Sequence, residues 1–327
     1  IWWRPRPWYA AFVAQSADLH DKILIDSLGY NYGFVSNDNA FMGGWYNRTQ
    51  LTRFVNPDDP DQFSMLKKPV FTVTSMLGML GRTRLSASYP EKYRKHLGII
   101  PSMHSDGKVA VLIYNKGEVH IQQNKPLTED AAAIGSEHKL VKLNINNLPL
   151  DKYTFIHYRI DEETSNPYKK WIEMGSPEFP ATDQLALLRE NQELSIVDAP
   201  EELVLTDNSF HLDVMMPSSS VSLIVLAPKS FALPGEVESL TAKKYTGLNG
   251  ERDVLLKWKY YGDNILSYEV WFTPSLDMDF VRVNPVNLVD RAFLHSTVPE
   301  SKGGYYKVRV VDYWGNQGKF SNVIKCK

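Results

Sequence analysis

Four segments between Val109 and Leu226 carry their apolar residues at the spacing of β-strands, which commits the middle of this chain to a sheet-built fold. Val109-Ala110-Val111-Leu112-Ile113-Tyr114 is strongly apolar, and Ser105-Asp106-Gly107 supplies the turn before it. From Lys139 to Leu148, Val141, Leu143 and Ile145 alternate with Lys142 and Asn144, the period of two that marks a half-buried strand. Tyr153 to Ile160 and Val221 to Leu226 behave similarly. Only Pro180 to Gln192 reads as a helix, with Thr182 as its predicted N-cap. Residues 82–232 are therefore predicted to form a β-sandwich interrupted by one short helix.

The chain up to Gly81 has a different rhythm. Ile1-Trp2-Trp3-Arg4-Pro5-Arg6-Pro7-Trp8 is aromatic and Pro-rich, with neither the apolar core nor the small-residue cleavage site of a secretory signal. It runs straight into a helix, so the chain is expected to open inside a domain. Tyr9 to Leu19 sets Ala10, Val13, Ala14 and Ala17 at i, i+3, i+4 and i+7, a narrow stripe suited to packing on a sheet. Strands are predicted at Ile23-Leu24-Ile25 and at Phe34. A second helix then places Val73, Met76, Leu77 and Leu80 on one face, with Gly81 suited to a C-terminal cap. Strand and helix in alternation imply βα units with parallel pairing. Two such units cannot cover both faces of their strands, and closing a (β/α)8 barrel takes eight units and roughly 250 residues.

Residues 233–327 read as a fibronectin type III-like (Ig-like) sandwich. Pro234-Gly235 opens it. Val254-Leu255-Leu256-Lys257-Trp258, Ser267 to Phe272 and Tyr306 to Val310 are its strands, Asp312-Tyr313-Trp314-Gly315 a turn, and Ser321 to Ile324 the last strand. Trp258 and Tyr306 are assigned to its core. The single Cys326 permits no intramolecular disulfide and is expected to be an exposed tail thiol.

The candidate site lies in Phe34 to Phe54. Phe34-Val35 ends in Ser36-Asn37-Asp38-Asn39, and Arg48 follows in a loop that also holds Trp45 and Tyr46. A strand that stops at a carboxylate, then a loop with aromatics and an arginine, is how a (β/α)-barrel builds a sugar site at its strand ends. Arg48 can grip a carboxylate or sulfate with two parallel hydrogen bonds, and Asp38 can accept hydrogen bonds from hydroxyls. The same residues also fit an Asx-turn and a surface ion pair.

Charge excludes several function classes. Lysine and arginine total 36 against 38 acidic residues, for a net charge of −2, and no basic block suggests nucleic acid. Protonating all 8 histidines would move that charge to +6, which favours polyanions in an acidic compartment. No apolar run is long enough to span a membrane. The histidines show no metal-ligand spacing, and no Gly-rich phosphate loop is present, so neither metal nor other cofactor is expected. Asp161-Glu162-Glu163 reads as a solvated acidic turn.

Taken together, Ser36-Asn37-Asp38-Asn39-Ala40-Phe41, Asn47-Arg48-Thr49, Leu51-Thr52-Arg53-Phe54, Lys68-Pro69-Val70, Ala110 to Tyr114, Phe179 to Gln184 and Val308 to Trp314 carry a resemblance. The chain resembles the C-terminal half of the α-L-iduronidases, glycoside hydrolase family 39, over almost its whole length. The resemblance implies three parts: residues 1–81 as the C-terminal part of a TIM-barrel domain, 82–232 as a β-sandwich, and 233–327 as the fibronectin type III-like domain. It further implies a lysosomal retaining glycosidase that removes terminal α-L-iduronate from the glycosaminoglycans dermatan sulfate and heparan sulfate. Retaining enzymes use two carboxylates about 5–5.5 Å apart; by the resemblance both are glutamates expected before Ile1, so no residue here receives a catalytic role. Asp38 aligns with the family aspartate on the sugar hydroxyls and Arg48 with the arginine on the iduronate carboxylate. The amides around Trp2 and Trp3 correspond to a segment that meets the same carboxylate, although tryptophans at a barrel mouth also simply pack.

The sequence departs from that family in several places. Trp8 abuts Tyr9 where the family inserts a short stretch, and the family's loop glycan acceptor is not kept at Asn56. Asn47-Arg48-Thr49 is the only acceptor sequon, and Asn47 adjoins the sugar-binding arginine. The cysteines of a vertebrate inter-domain disulfide are missing. Two other functions stay open: a non-catalytic carbohydrate- or protein-binding unit, and a xylosidase-like specificity, against which Arg48 argues because xylose has no carboxylate.

Overall fold

The computed structural model describes residues 3–30, 44–47, 49–121, 132–134, 137–230, 232–284, 287–296 and 304–326. The chain forms two compact units assembled from separated stretches. Ile1–Thr52, Lys67–Lys170 and Ser195–Pro228 make the first, and Arg53–Leu66, Trp171–Leu194 and Lys229–Lys327 the second.

Helix α1 (Pro7–His20) starts on a proline, whose missing N–H would be unpaired in a first turn anyway. It buries Pro7, Trp8, Ala10, Ala11, Ala14, Gln15 and Asp18, a face rotated from the predicted Ala10-Val13-Ala14-Ala17 stripe. The strand expected at Ile23-Leu24-Ile25 does not form; Asp21–Ser27 continues the helix as π-helix with both isoleucines exposed. Three apolar residues fit either periodicity, and the helix already under way decides. Strands β1 (Leu51–Val55) and β2 (Phe63–Lys67) form a two-stranded sheet. Helix α2 (Pro69–Gly78) buries Val73 and Met76 and ends at Gly78, so Gly81 is not its cap. Gly81 is instead a point of close approach, since a Cβ there would lie 2.3 Å from the Met103 carbonyl.

Strands β3 (Thr83–Arg84), β4 (Leu97–Met103) and β5 (Val109–Asn115) follow, then a small antiparallel pair, β6 (Val119–Ile121) with β7 (Ala132–Ile134). Beyond these come β8 (Lys139–Ile145), β9 (Lys152–Ile160), α3 (Pro167–Glu173), α4 (Thr182–Asn191), β10 (Ser195–Val204), β11 (Phe210–Met216) and β12 (Ser220–Pro228). A six-stranded antiparallel sheet runs β10-β9-β12-β5-β4-β3. The β8–β11 ribbon covers one face: Leu143, Phe210, Val214 and Met216 share a core with Val111, Ile113, Phe155 and Ile224. On the other face α1 packs against β4, β5 and β12, and α2 against β9. With both faces covered, every residue of β5 is buried, the physical reason its sequence is apolar throughout.

Helix α3 has no counterpart in the predicted elements. Helix α4 begins at Thr182 with Ala181 as N-cap, one residue earlier than the expected Thr182 cap. Alanine has no side-chain acceptor, so only half a capping box forms: Gln184 Oε1 accepts from the Ala181 N–H at 2.9 Å.

In the second unit, β13 (Glu238–Thr246), β14 (Arg252–Lys259) and β17 (Ala292–His295) form one antiparallel sheet. The other is β16 (Val281–Arg282), β15 (Ile265–Thr273), β18 (Gly304–Asp312) and β19 (Ile324–Cys326), in that order. Trp258 and Tyr306 share one core with Val254, Tyr268, Val270 and Val308 of both sheets. Cys326 belongs to this core too, only 5% exposed, which corrects the expected surface thiol. Pairing of β19 with Gly304–Tyr306 carries it inward, and Gly304 is required there because a Cβ would lie 2.0 Å from the Phe272 ring.

Candidate functional site

Of the residues singled out by sequence, Asp38, Arg48 and Trp2 lie outside the described residues, whereas Trp3 and Asn47 lie within them. Trp3 belongs to the aromatic entry of α1. Its ring lies 5.5 Å from those of Trp8 and Tyr9, and the Arg4 guanidinium sits over it at 5.3 Å. The same Arg4 donates from Nη1 to the Tyr46 carbonyl at 3.0 Å. One guanidinium therefore joins the Trp3 segment to the loop that runs into Arg48.

That loop is held from within by Lys68, the residue preceding α2. Its ammonium is completely buried and donates to the carbonyls of Trp45 at 3.3 Å and Asn47 at 2.9 Å. Burying an ammonium is tolerated only where carbonyls or carboxylates replace its water, so Lys68 fixes the peptide immediately before Arg48. On the other side stands Tyr168 of α3. Its ring meets that of Trp45 edge-on at 5.3 Å and that of Tyr46 at 6.2 Å, and the two tyrosine hydroxyls lie 3.0 Å apart. Arg6 sits over the Tyr168 ring at 5.9 Å. Asn47 is exposed, while Thr49 of the same sequon is buried and donates its hydroxyl to the Leu51 carbonyl.

Next to Tyr168 in sequence, the predicted solvated acidic turn is largely not solvated. Asp161 is only 7% exposed, and its Oδ1 accepts from the Glu163 N–H and the Thr164 hydroxyl at 2.9 and 2.7 Å. Burial raises the Glu162 carboxyl above the usual carboxylate range, although Arg6 opposes the shift. Only Glu163 projects into solvent, paired with Lys169.

A second constellation was invisible in sequence. His157 places Nδ1 3.0 Å from Asp198 Oδ2 and Nε2 3.0 Å from the Ser222 hydroxyl, which also accepts from Arg159 Nε at 3.1 Å. It has the outline of an acid–base–nucleophile relay. Ser222, however, is fully buried within β12, where no substrate reaches it, so the group serves to tie β9, β10 and β12 together. A cavity of about 750 Å³ between β4, β5 and β8 has apolar walls from Leu97, Ile99, Val111 and Leu143 and polar ones from Lys142, Asn144 and Asn146. No His/Cys/Asp/Glu group with metal-binding geometry occurs among the described residues.

The sheet-built fold agrees with what comparison shows. Residues 2–202 match Glycosyl hydrolases family 39, and the chain belongs to that family. Residues 252–327 match the Alpha-L-iduronidase C-terminal domain. The chain is 27% identical to alpha-L-iduronidase of Mus musculus, over 99% of this chain and 52% of that protein. Identity to the Homo sapiens enzyme is 25%, over 99% and 51% respectively. The chain thus spans about half the length of the curated relatives it matches. The solved structure of a bacterial orthologue of human α-L-iduronidase superposes with a TM-score of 0.84 at 25% identity, covering 99% of this chain and 54% of that one.

Proposed function

We propose that this chain supplies substrate recognition and the β-domains of an α-L-iduronidase-type retaining glycosidase. Its substrates would be the non-reducing ends of dermatan sulfate and heparan sulfate, and its compartment the lysosome. Arg48 is the carboxylate anchor, a role in which a planar guanidinium outperforms an ammonium. Asp38 accepts hydrogen bonds from the sugar hydroxyls, and the amides at Trp2 and Trp3 face the same carboxylate. The supporting observation is Arg4, which contacts both the Trp3 ring and the Tyr46 carbonyl. It joins the Trp3 segment to the loop that precedes Arg48. Residues 1–81 are the barrel part, 82–232 the sandwich and 233–327 the fibronectin type III-like domain; the two catalytic carboxylates are assigned to no residue of this chain.

The test is a binding titration of the purified chain with L-iduronate and with xylose, followed by NMR. Iduronate should bind at least ten times more tightly, and Arg48→Lys should erase most of the difference while leaving the unfolding midpoint in place. Equal affinity for the two sugars would overturn the assignment. Turnover of a fluorogenic α-L-iduronide by this chain should not exceed background; measurable turnover would place a catalytic carboxylate within it.

A further inference from the structure

We infer that a cationic strip along α1, built from Arg94, Lys95 and Lys116 with the Tyr89 ring, is a docking surface for the sulfated stretch of a polyanionic glycan. It lies apart from the recognition site proposed above; only the choice of a glycan among polyanions rests on that reading.

The strip is assembled from separated segments, which is why no basic block marks it in sequence. Gln15 of α1 is buried and donates from Nε2 to the Lys95 carbonyl at 2.8 Å. The Lys116 N–H donates to the His96 carbonyl at 2.8 Å, so the end of β5 brings Lys116 beside Lys95. The Lys116 ammonium lies 6.0 Å from the centre of the Trp8 ring. Further along α1, the Tyr89 ring has Lys22 at 5.6 Å and the Arg94 guanidinium at 5.8 Å. From Trp8 to Asp18, the ion-pair partner of Lys22, α1 rises about 15 Å, longer than a single sugar ring. All of these residues belong to the first unit.

The strip has cations without counter-charge. Lys22 and Arg84 nearby have theirs in Asp18 and Asp26. Arg94 and Lys95 are exposed, and neither they nor Lys116 forms an ion pair among the described residues. Glu91 precedes them in sequence without pairing, and Glu118 faces His96 Nε2 at 2.8 Å instead. Burial, and then the Lys95 ammonium, lower the Lys116 ammonium below its ordinary value. Folding thus holds like charges together, and a bound anion relieves them. Sulfate suits the place because it stays ionised across the physiological range and accepts from several donors at once. The Tyr89 ring meanwhile offers an apolar face to the C–H side of a pyranose.

The experiment measures dissociation constants of the purified chain for a heparan sulfate hexasaccharide whose non-reducing end is glucosamine, so that the iduronate site stays empty. Binding should weaken steeply as salt is raised, the mark of charge pairing. Arg94→Gln with Lys95→Gln should weaken it about tenfold at low salt, with the urea midpoint and the affinity for free iduronate unchanged. Lys257→Gln with Lys259→Gln removes the same charge from exposed positions of β14 and should leave the affinity within about twofold. In the wild-type chain the Lys116 ammonium, followed by NMR, should titrate at higher pH once the hexasaccharide is bound. No binding, equal losses in the two double variants, or a Lys116 titration that does not move would overturn the strip. Tighter binding of a single-stranded DNA of equal charge would do the same, since it marks a general polyanion surface. A chain that binds the hexasaccharide through the strip but prefers iduronate no more than xylose would bring down the recognition site and leave the strip standing.

Discussion

The Tyr114 hydroxyl of β5 donates a 2.8 Å hydrogen bond to the Asp18 carboxylate of α1, joining helix and sheet where both side chains are buried. Lys22 pairs with the same carboxylate at 2.6 Å. Burial and the neighbouring Asp18 charge push the Tyr114 phenol far above its ordinary range, so it remains a donor at any working pH. Room for its ring comes from Gly98, where a Cβ would stand 2.1 Å from the hydroxyl.

Tyr114→Phe should therefore destabilise the chain by about 1.5–3 kcal/mol, the loss expected when a buried charged acceptor forfeits a donor. Gly98→Ala should cost about 1–3 kcal/mol by overpacking the same place. Urea denaturation measures both. A combined loss well below the sum would follow from their shared contact.

Arg189 of α4 anchors the second unit in the same manner. Its Nη2 reaches the Ser64 hydroxyl of β2 at 2.6 Å and Asp253 of β14 at 3.3 Å, with Asp253 buried. Replacing one member of a buried charged pair costs about 3–5 kcal/mol, because the other charge is left without it. Arg189→Met should show that loss in urea denaturation, and Arg189→Met with Asp253→Leu should recover most of it.

Lys68→Met retains the aliphatic stem but removes the donor shared by the Trp45 and Asn47 carbonyls. Iduronate affinity should fall at least tenfold, about 1.4 kcal/mol, with a smaller change in affinity for a neutral pentose. Parallel titrations of the two sugars make the comparison; an equal change for both would show that Lys68 serves folding alone.

Stability should decline in acid. Burial lowers the His295 imidazole from its usual 6.5 to about 4, and burial likewise lowers His157. Between those values the unfolded chain binds the His295 proton and the folded chain does not. The contribution of His295 is thus full above pH 6.5 and is lost as pH falls toward about 4. The urea midpoint should drop between pH 7 and pH 5, and His295→Gln should flatten that slope. NMR titration of the imidazole should place its midpoint near 4.

Strand periodicity made β5, β8, β9, β12, β14, β15 and β18 readable, since alternation and continuous apolar runs reflect local burial. Other elements were not: β10 and β13 leave most of their residues exposed and so carry little apolar pattern, and short elements carry less still. The seven residues of α3 are too few for a helical period to emerge, and Ile23-Leu24-Ile25 suits strand and helix alike. Cys326 looked like a loose end because nothing in a terminal tripeptide announces that it pairs with Gly304–Tyr306.

By itself the sequence determined where the most apolar and most regularly alternating strands lie, where aromatic and cationic residues gather, and to which family the chain belongs. Each of these is written in neighbouring residues or in an ordered set of motifs. Only the tertiary structure decided that Tyr168 meets Tyr46 across 122 positions, that Ser222 meets His157 across 65, and that Arg189 meets Asp253 across 64. Such meetings depend on strand register and helix docking, which sum many weak contacts over the whole chain and leave no local mark on the residues they join.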